Sequence, residues 1–146
     1  MSAEPRLSVV ARVRGVRERD SRLGLVEALD EEREAEARVV ALQEQLATVK
    51  AFEAGDVASF ATRQRSVAAL ADALTLARAA LDSAHVVALA ARDRWRSDRS
   101  RLAAVESLID RREAEQRREQ RRLEDRRLDA VAEDLWRRRS SGTVTS

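Results

Sequence analysis

The residues able to do chemistry are few, and their spacing is unlike that of a reaction centre. His85 is the only histidine and cysteine is absent. A triad or a histidine metal site would have to be assembled around one imidazole, and there is no disulfide framework or thiolate zinc site. Carboxylates are plentiful, as in Glu31, Glu32, Glu34 and Glu36. Acid–base work needs such groups to face a pocket, and a two-stranded helical surface offers none. The four glycines are scattered, so no Gly-rich loop cradles a phosphate. The expectation is a chain that catalyses nothing and needs neither cofactor nor metal. His85, beside an apolar seam, is expected to play a solvated or half-buried structural part.

Arginine could serve nucleic acid, since it supplies 27 of the 28 basic residues, the exception being Lys50. Yet acids are interleaved with it. Residues 1–91 hold 12 basic and 14 acidic residues, net −2, and residues 92–146 hold 16 and 12, net +4. Interleaved acids cancel the attraction to phosphate, which argues against nucleic acid.

These side chains must be positioned by helices. The 146 residues include 3% aromatics and a single proline, Pro5, while 37% are charged and 44% hydrophobic. A sheet protein needs turn residues at intervals, and this chain lacks them. Ala, Leu and Val mixed with charge point to long helices or coiled coil with no large core. No apolar h-region opens the chain and no continuous apolar run nears ~18 residues, so neither secretion nor membrane spanning is expected.

The opening "SAEP" predicts a helix start near Pro5. Helix 1 is expected over about 5–50, softened by Gly15 and Gly24, with a seam at Leu25, Ala28, Glu32, Ala35, Val39, Leu42, Leu46 and Val49. "FEAGDVASF" is the one hinge, about 53–57. Gly55 is expected to close helix 1 in the left-handed conformation and Asp56 to cap helix 2, with Phe52 and Phe60 packing across the turn. Helix 2 is expected over about 57–138. Its seam runs Val67, Leu70, Leu74, Ala77, Leu81, Ala84, Ala88, Ala91, Trp95, Asp98, Leu102, Val105 and Ile109, in which only Asp98 is polar. Its alanines imply close helix axes. Residues 140–146, "SSGTVTS", read as a disordered tail.

The fold class predicted is all-α: one antiparallel two-helix coiled-coil hairpin over 1–139, its longer second helix overhanging at the C-terminal end. If residue 50 faces 58, residue 6 faces about 102. At ~1.5 Å per residue the helices are on the order of 67 and 120 Å long, leaving roughly 35 residues of helix 2 without an intrachain partner. Glu113–Arg117 and Glu124–Arg127 are spaced to support that stretch.

Within it, "LEDRRLDAVAEDLWRRR" places Leu128, Val131 and Leu135 on one face at i, i+3, i+7, a pattern suited to docking on an outside surface. Trp136 is either a docking residue beside them or a half-exposed residue in a fraying end. Arg137, Arg138 and Arg139 suit a helix C-terminus for dipole reasons alone.

Trp95-Arg96, Arg101-Leu102, Asp110-Arg111 and the terminal Arg126-Arg127-Leu128-Asp129 resemble the C-terminal half of the flagellar export protein FliJ family. The opening "RLSVVARVRGVRERDSR" also resembles that family's start, and length and two-helix organisation agree over essentially the whole chain. One departure is Ala130, where the family often has a second acid after the terminal Asp. The resemblance implies a non-enzymatic stalk and adaptor of flagellar type III export, similar to the central stalk of rotary ATPases. Its implied partners are the hexameric export ATPase, the membrane export gate and substrate chaperones. The ATPase ring would meet Leu128, Asp129, Val131 and Leu135, and the gate would meet Leu42, Leu70 and Ala73. The implied location is cytoplasmic, peripheral at the inner face of the cell membrane without insertion, and the implied form is a monomer.

Three other readings stay open. The matching component of a virulence-type secretion system would have the same hairpin. A rotary-ATPase stalk subunit usually carries a globular segment for which "EAGD" leaves no room. A generic coiled-coil scaffold would homodimerise through the overhanging helix.

Overall fold

In the computed structural model, which describes residues 3–52 and 55–142, two helices account for the architecture. Helix α1 spans Ala3–Ala51 and α2 spans Val57–Gly142. They pack against each other as an all-α helical hairpin, with no strand among the described residues. By packing, the chain divides into one unit of Val13–Leu102 and another of Met1–Arg12 with Ala103–Ser146.

In Val13–Leu102 the two seams meet. Every seam position of α2 from Val67 to Leu102 is buried or half-buried, and so is every α1 seam position from Leu25 to Val49. Val39, Leu74 and Ala77 form a small core, with Leu42, Leu46 and Leu81 against it. No large side chain is fully buried. Each seam residue thus contributes less than the roughly 1.5–3 kcal/mol of a fully buried Leu or Val, and stability accumulates along the length. The α1 seam also continues toward its N-terminus through Ser21, Glu18 and Arg14, all shielded although polar.

The hinge is closed by different groups from those expected. No described residue has positive φ, Gly55 included. Instead the Arg63 guanidinium reaches back across the turn. Its Nε donates to the Val49 carbonyl at 3.2 Å and its Nη2 to the Lys50 carbonyl at 2.6 Å. Those oxygens belong to the last turn of α1, where a carbonyl lacks an intrahelical donor, and a cation there also suits the helix dipole. With the carbonyls satisfied by a side chain, the left-handed glycine has no task. Phe52 and Phe60 remain 66% and 51% exposed, so the turn is not closed by stacking them. Asp56 caps α2 as expected: its Oδ1 accepts the Ser59 N–H at 2.7 Å. Glu53 and Ala54 lie outside the described residues.

The register differs from expectation. Near the hinge Ala58 shares a groove with Thr48, Val49 and Phe52, and the Arg63 side chain reaches the Lys50 carbonyl. In the other unit Leu7 and Ser8 share a groove with Ile109, Arg112 and Glu113, about two helical turns beyond the position expected near 102. A slip of that size returns the same faces to each other, so seam spacing alone cannot exclude it.

In that second unit shielding ends at Ala114, and every described residue from Glu115 to Gly142 is exposed. The helix continues through Ser140–Gly142, residues expected to be disordered; residues 143–146 lie outside the description. Ion pairs in this stretch include Glu119–Arg122 at 3.9 Å and Glu133–Arg137 at 2.7 Å. The expected Glu113–Arg117 and Glu124–Arg127 pairs do not form. Exposed pairs of this kind contribute about 0.3–0.5 kcal/mol each, so which of several forms is weakly determined.

One 18-residue window of α2 is long and apolar enough to cross a membrane by length and composition. The window is an average that includes charged residues, so it is not the continuous apolar run whose absence was expected. The seam explains it: leucines and alanines dense enough to line a helix pair also raise average hydropathy.

Candidate functional site

In Val13–Leu102 polar side chains bridge the two helices. Glu32, the charged interruption of the α1 seam, accepts from His85 Nδ1 at 2.6 Å. The imidazole is otherwise mostly in solvent, so the one histidine acts as a tether between helices. Trp95 is half-buried on the seam, and its indole Nε1 donates to Glu18 Oε1 at 3.1 Å. The Arg99 guanidinium lies 5.2 Å from the Trp95 ring centroid, within cation–π range. Asp98 is 8% exposed and has Arg101 at 3.9 Å. Arg14 Nη1 is buried with no hydrogen-bond partner. Continuing the three/four spacing N-terminally from Leu25 reaches Ser21, Glu18 and Arg14, so this polar run was legible as position though not as contact.

Nothing in this arrangement gathers reactive groups. Among the described residues no group of three His, Asp or Glu could hold a metal ion. The concave features are open grooves along the helix pair rather than enclosed pockets. The Ser59 backbone N–H holds the Asp56 carboxyl below its usual range, with help from the Ser59 hydroxyl.

The residues expected to meet an ATPase ring fall together. Leu128, Val131 and Leu135 are all well exposed on one face of the uncovered part of α2, with Asp129 exposed beside them. Trp136 is 69% exposed, which makes it available for docking and gives it no intrachain role. The three residues expected at a gate are divided. Leu42 packs against the Val39–Leu74–Ala77 core. Leu70 is half-buried on the seam and lines a groove of about 710 Å³ with Ala41, Gln45 and Ala69. Ala73 lies one turn beyond Ala69 on the same side of α2. A second groove of about 540 Å³ follows at the hinge, lined by Val49, Phe52, Thr62 and Arg63 among others.

The family model described as "Flagellar FliJ protein" matches residues 2–141, nearly the whole chain. No curated protein and no solved structure matches.

Proposed function

Because the chain belongs to the flagellar FliJ family and so has a role related to flagellar protein export, we propose that it is a non-enzymatic stalk and adaptor of the flagellar type III export apparatus. One copy enters the ring of the hexameric export ATPase and favours its assembled, active state. The chain also contacts the membrane export gate, and substrate chaperones are further partners. The ring contact is the face of Leu128, Val131 and Leu135 with Asp129. The gate contact lies toward the hinge, with Leu70 and Ala73 presented along the groove and Leu42 supporting them from the seam. The protein works in the cytoplasm, peripheral at the inner face of the cell membrane, without inserting and without nucleic acid.

The observation that carries this reading is the helix from Glu115 to Gly142. It is fully exposed yet keeps three large apolar residues on one face. Apolar side chains at i, i+3, i+7 on an uncovered helix suit a partner's groove. Family membership supplies the system in which that partner is sought.

The test is ATP hydrolysis by the export ATPase of the same organism, with and without this protein. Stimulation is expected with the wild type and lost with Leu128→Asp/Leu135→Asp. Stimulation surviving in the double variant would move the ring contact elsewhere. No stimulation by the wild type, with an assembled ring confirmed, would remove the stalk reading.

A further inference from the structure

Around Trp95, one side of the helix pair in Val13–Leu102 is almost purely basic. On α2 the step of three and four residues runs Leu89, Arg92, Arg96, Arg99, and on α1 it runs Arg19, Arg22, Val26. Contacts put the two rows on the same side. Glu18 Oε1 accepts the Trp95 indole N–H at 3.1 Å and lies 3.8 Å from Arg22 Nη1, while Arg99 stands over the Trp95 ring. Arg19, Arg22, Arg96 and Arg99 are exposed and Arg92 is half-buried. Of these five, Arg22 alone is in an ion pair among the described residues. Arg19 turns its Nε to the Gly15 carbonyl instead, at 3.3 Å.

The acids of the same stretches are engaged or face elsewhere. Glu18 is shielded and already shared between Trp95 and Arg22. Asp98 is buried on the seam beside Arg101. Asp20 lines one groove with Arg17, Arg94 and Arg101 on the other side of the pair, and a second groove with Gly24 and Ala90. Helical spacing turns the exposed Asp93 outward, opposite the Ala91–Trp95 seam. Five guanidinium groups thus crowd one side against a single engaged carboxylate. Like charges at three- and four-residue spacing repel, so an anionic partner covering them relieves that repulsion.

Shape and surroundings select the partner. Arg92 and Arg99 are seven residues apart, so the basic part is only ~10 Å long at 1.5 Å per residue. Farther along α1, Glu27, Asp30, Glu31 and Glu34 are exposed and would repel a longer polyanion or a flat anionic bilayer. Val26 and Leu89 add an apolar edge at one end, 50% and 45% exposed. Rows stepping by three and four match carboxylates at i, i+3 and i+4 on a helix laid alongside. The guanidinium fork suits carboxylate.

We infer that Arg19, Arg22, Arg92, Arg96 and Arg99 form a docking face for an acidic helix of a partner protein. About two turns of that helix lie along the rows, with an apolar residue against Val26 and Leu89. Glu18 and Trp95 hold Arg22 and Arg99 in place beforehand, which lowers the ordering cost of association. The charge sets orientation and on-rate and makes the contact salt-sensitive. This goes beyond the stalk reading and uses none of the residues of the ring contact.

The test uses the full chain and a synthetic helical peptide of Ala and Glu, its carboxylates at i, i+3 and i+7, with one Leu. Trp136→Phe leaves Trp95 as the only tryptophan, so its emission reports binding at this face. The Glu peptide is expected to change that emission to saturation, and the same peptide with Gln for Glu is expected to leave it flat. Arg19→Glu/Arg96→Glu is expected to weaken binding roughly ten-fold, the weight of exposed charge contacts turned repulsive. Arg17→Glu/Arg94→Glu makes the same charge change on the other side and is expected to shift it by less than about two-fold. None of these four arginines is in an ion pair among the described residues, so both variants are expected to keep wild-type helix content by circular dichroism. An unchanged Trp95 emission overturns the proposal, as does equal weakening by the two double variants. So does tighter binding of a single-stranded oligonucleotide or of phosphatidylserine vesicles than of the peptide. None of these readouts contains the ATPase, so their failure leaves the ring contact standing, and loss of the ring contact leaves them unaffected.

Discussion

Helix α2 carries two stretches that are equally helical, the second far richer in charge, yet only the first is held by the rest of the chain. From Val67 to Leu102 one face is shielded by α1, and alanines and leucines alternate along it with Trp95 and Asp98. From Glu115 to Gly142 no residue is shielded at all. The first stretch is stabilised by burial, a little per residue over many residues. The second has only backbone hydrogen bonds, helix-forming side chains and scattered ion pairs such as Glu133–Arg137. The comparison teaches where binding capacity lies. In the first stretch most apolar groups are spent on α1, whereas in the second Leu128, Val131 and Leu135 are not spent at all.

The contrast can be broken most forcefully at its core. Leu74→Ala is expected to lower unfolding stability by about 2–3 kcal/mol, while Leu128→Ala stays within about 0.5 kcal/mol of wild type, read by urea denaturation followed by circular dichroism. Equal losses would mean that the uncovered stretch has an intrachain partner after all. A smaller effect comes from bulk. Ala88→Leu is expected to cost about 1–2 kcal/mol because the alanine is buried between close helices, whereas Ala130→Leu, on the exposed stretch, is expected to cost nothing measurable.

Gly24 sharpens the comparison from the other helix. A Cβ there meets nothing, so Gly24→Ala is expected to raise stability by about 0.5–1 kcal/mol through helix propensity alone. A loss would show that something closes over that groove in solution. The smallest effect is at the hinge. The Asp56 carboxyl is depressed in the folded chain by the Ser59 N–H. Its contribution is therefore complete above the ordinary carboxylate range and is lost as pH falls through the folded value. Asp56→Asn keeps a capping oxygen without the charge, so its melting temperature is expected to lack that acid-side decline. An unchanged acid limb would assign the decline to other carboxylates.

Much of this is legible in the sequence. All thirteen α2 seam residues and all eight on α1 recur as buried or half-buried, because a three/four alternation puts side chains on one face whatever the surroundings. The exposed face of Leu128, Val131 and Leu135 was legible for the same reason. Less legible were Arg14, Glu18 and Ser21. Their charge and polarity disguised seam positions: Glu18 meets the Trp95 indole, Ser21 donates to carbonyls of its own helix, and Arg14 Nη1 is buried without a hydrogen-bond partner. The Gly55 and Phe52/Phe60 expectations failed because a side chain six residues into α2 supplied the closure that local turn chemistry was expected to provide.

By itself, then, the sequence determined two helices, the hinge between them and the face each turns inward, since these follow from spacing, capping and the scarcity of breakers within a few residues. Tertiary structure alone decided the register. Sliding one helix along the other by about two turns brings the same faces together again, so local pattern is blind to it. The choice rests on long-range pairs between residues far apart in the chain: Arg63 with the carbonyls of Val49 and Lys50, His85 with Glu32, and Trp95 with Glu18. Those geometries are satisfied together in one alignment, and they exist only once the helices have met.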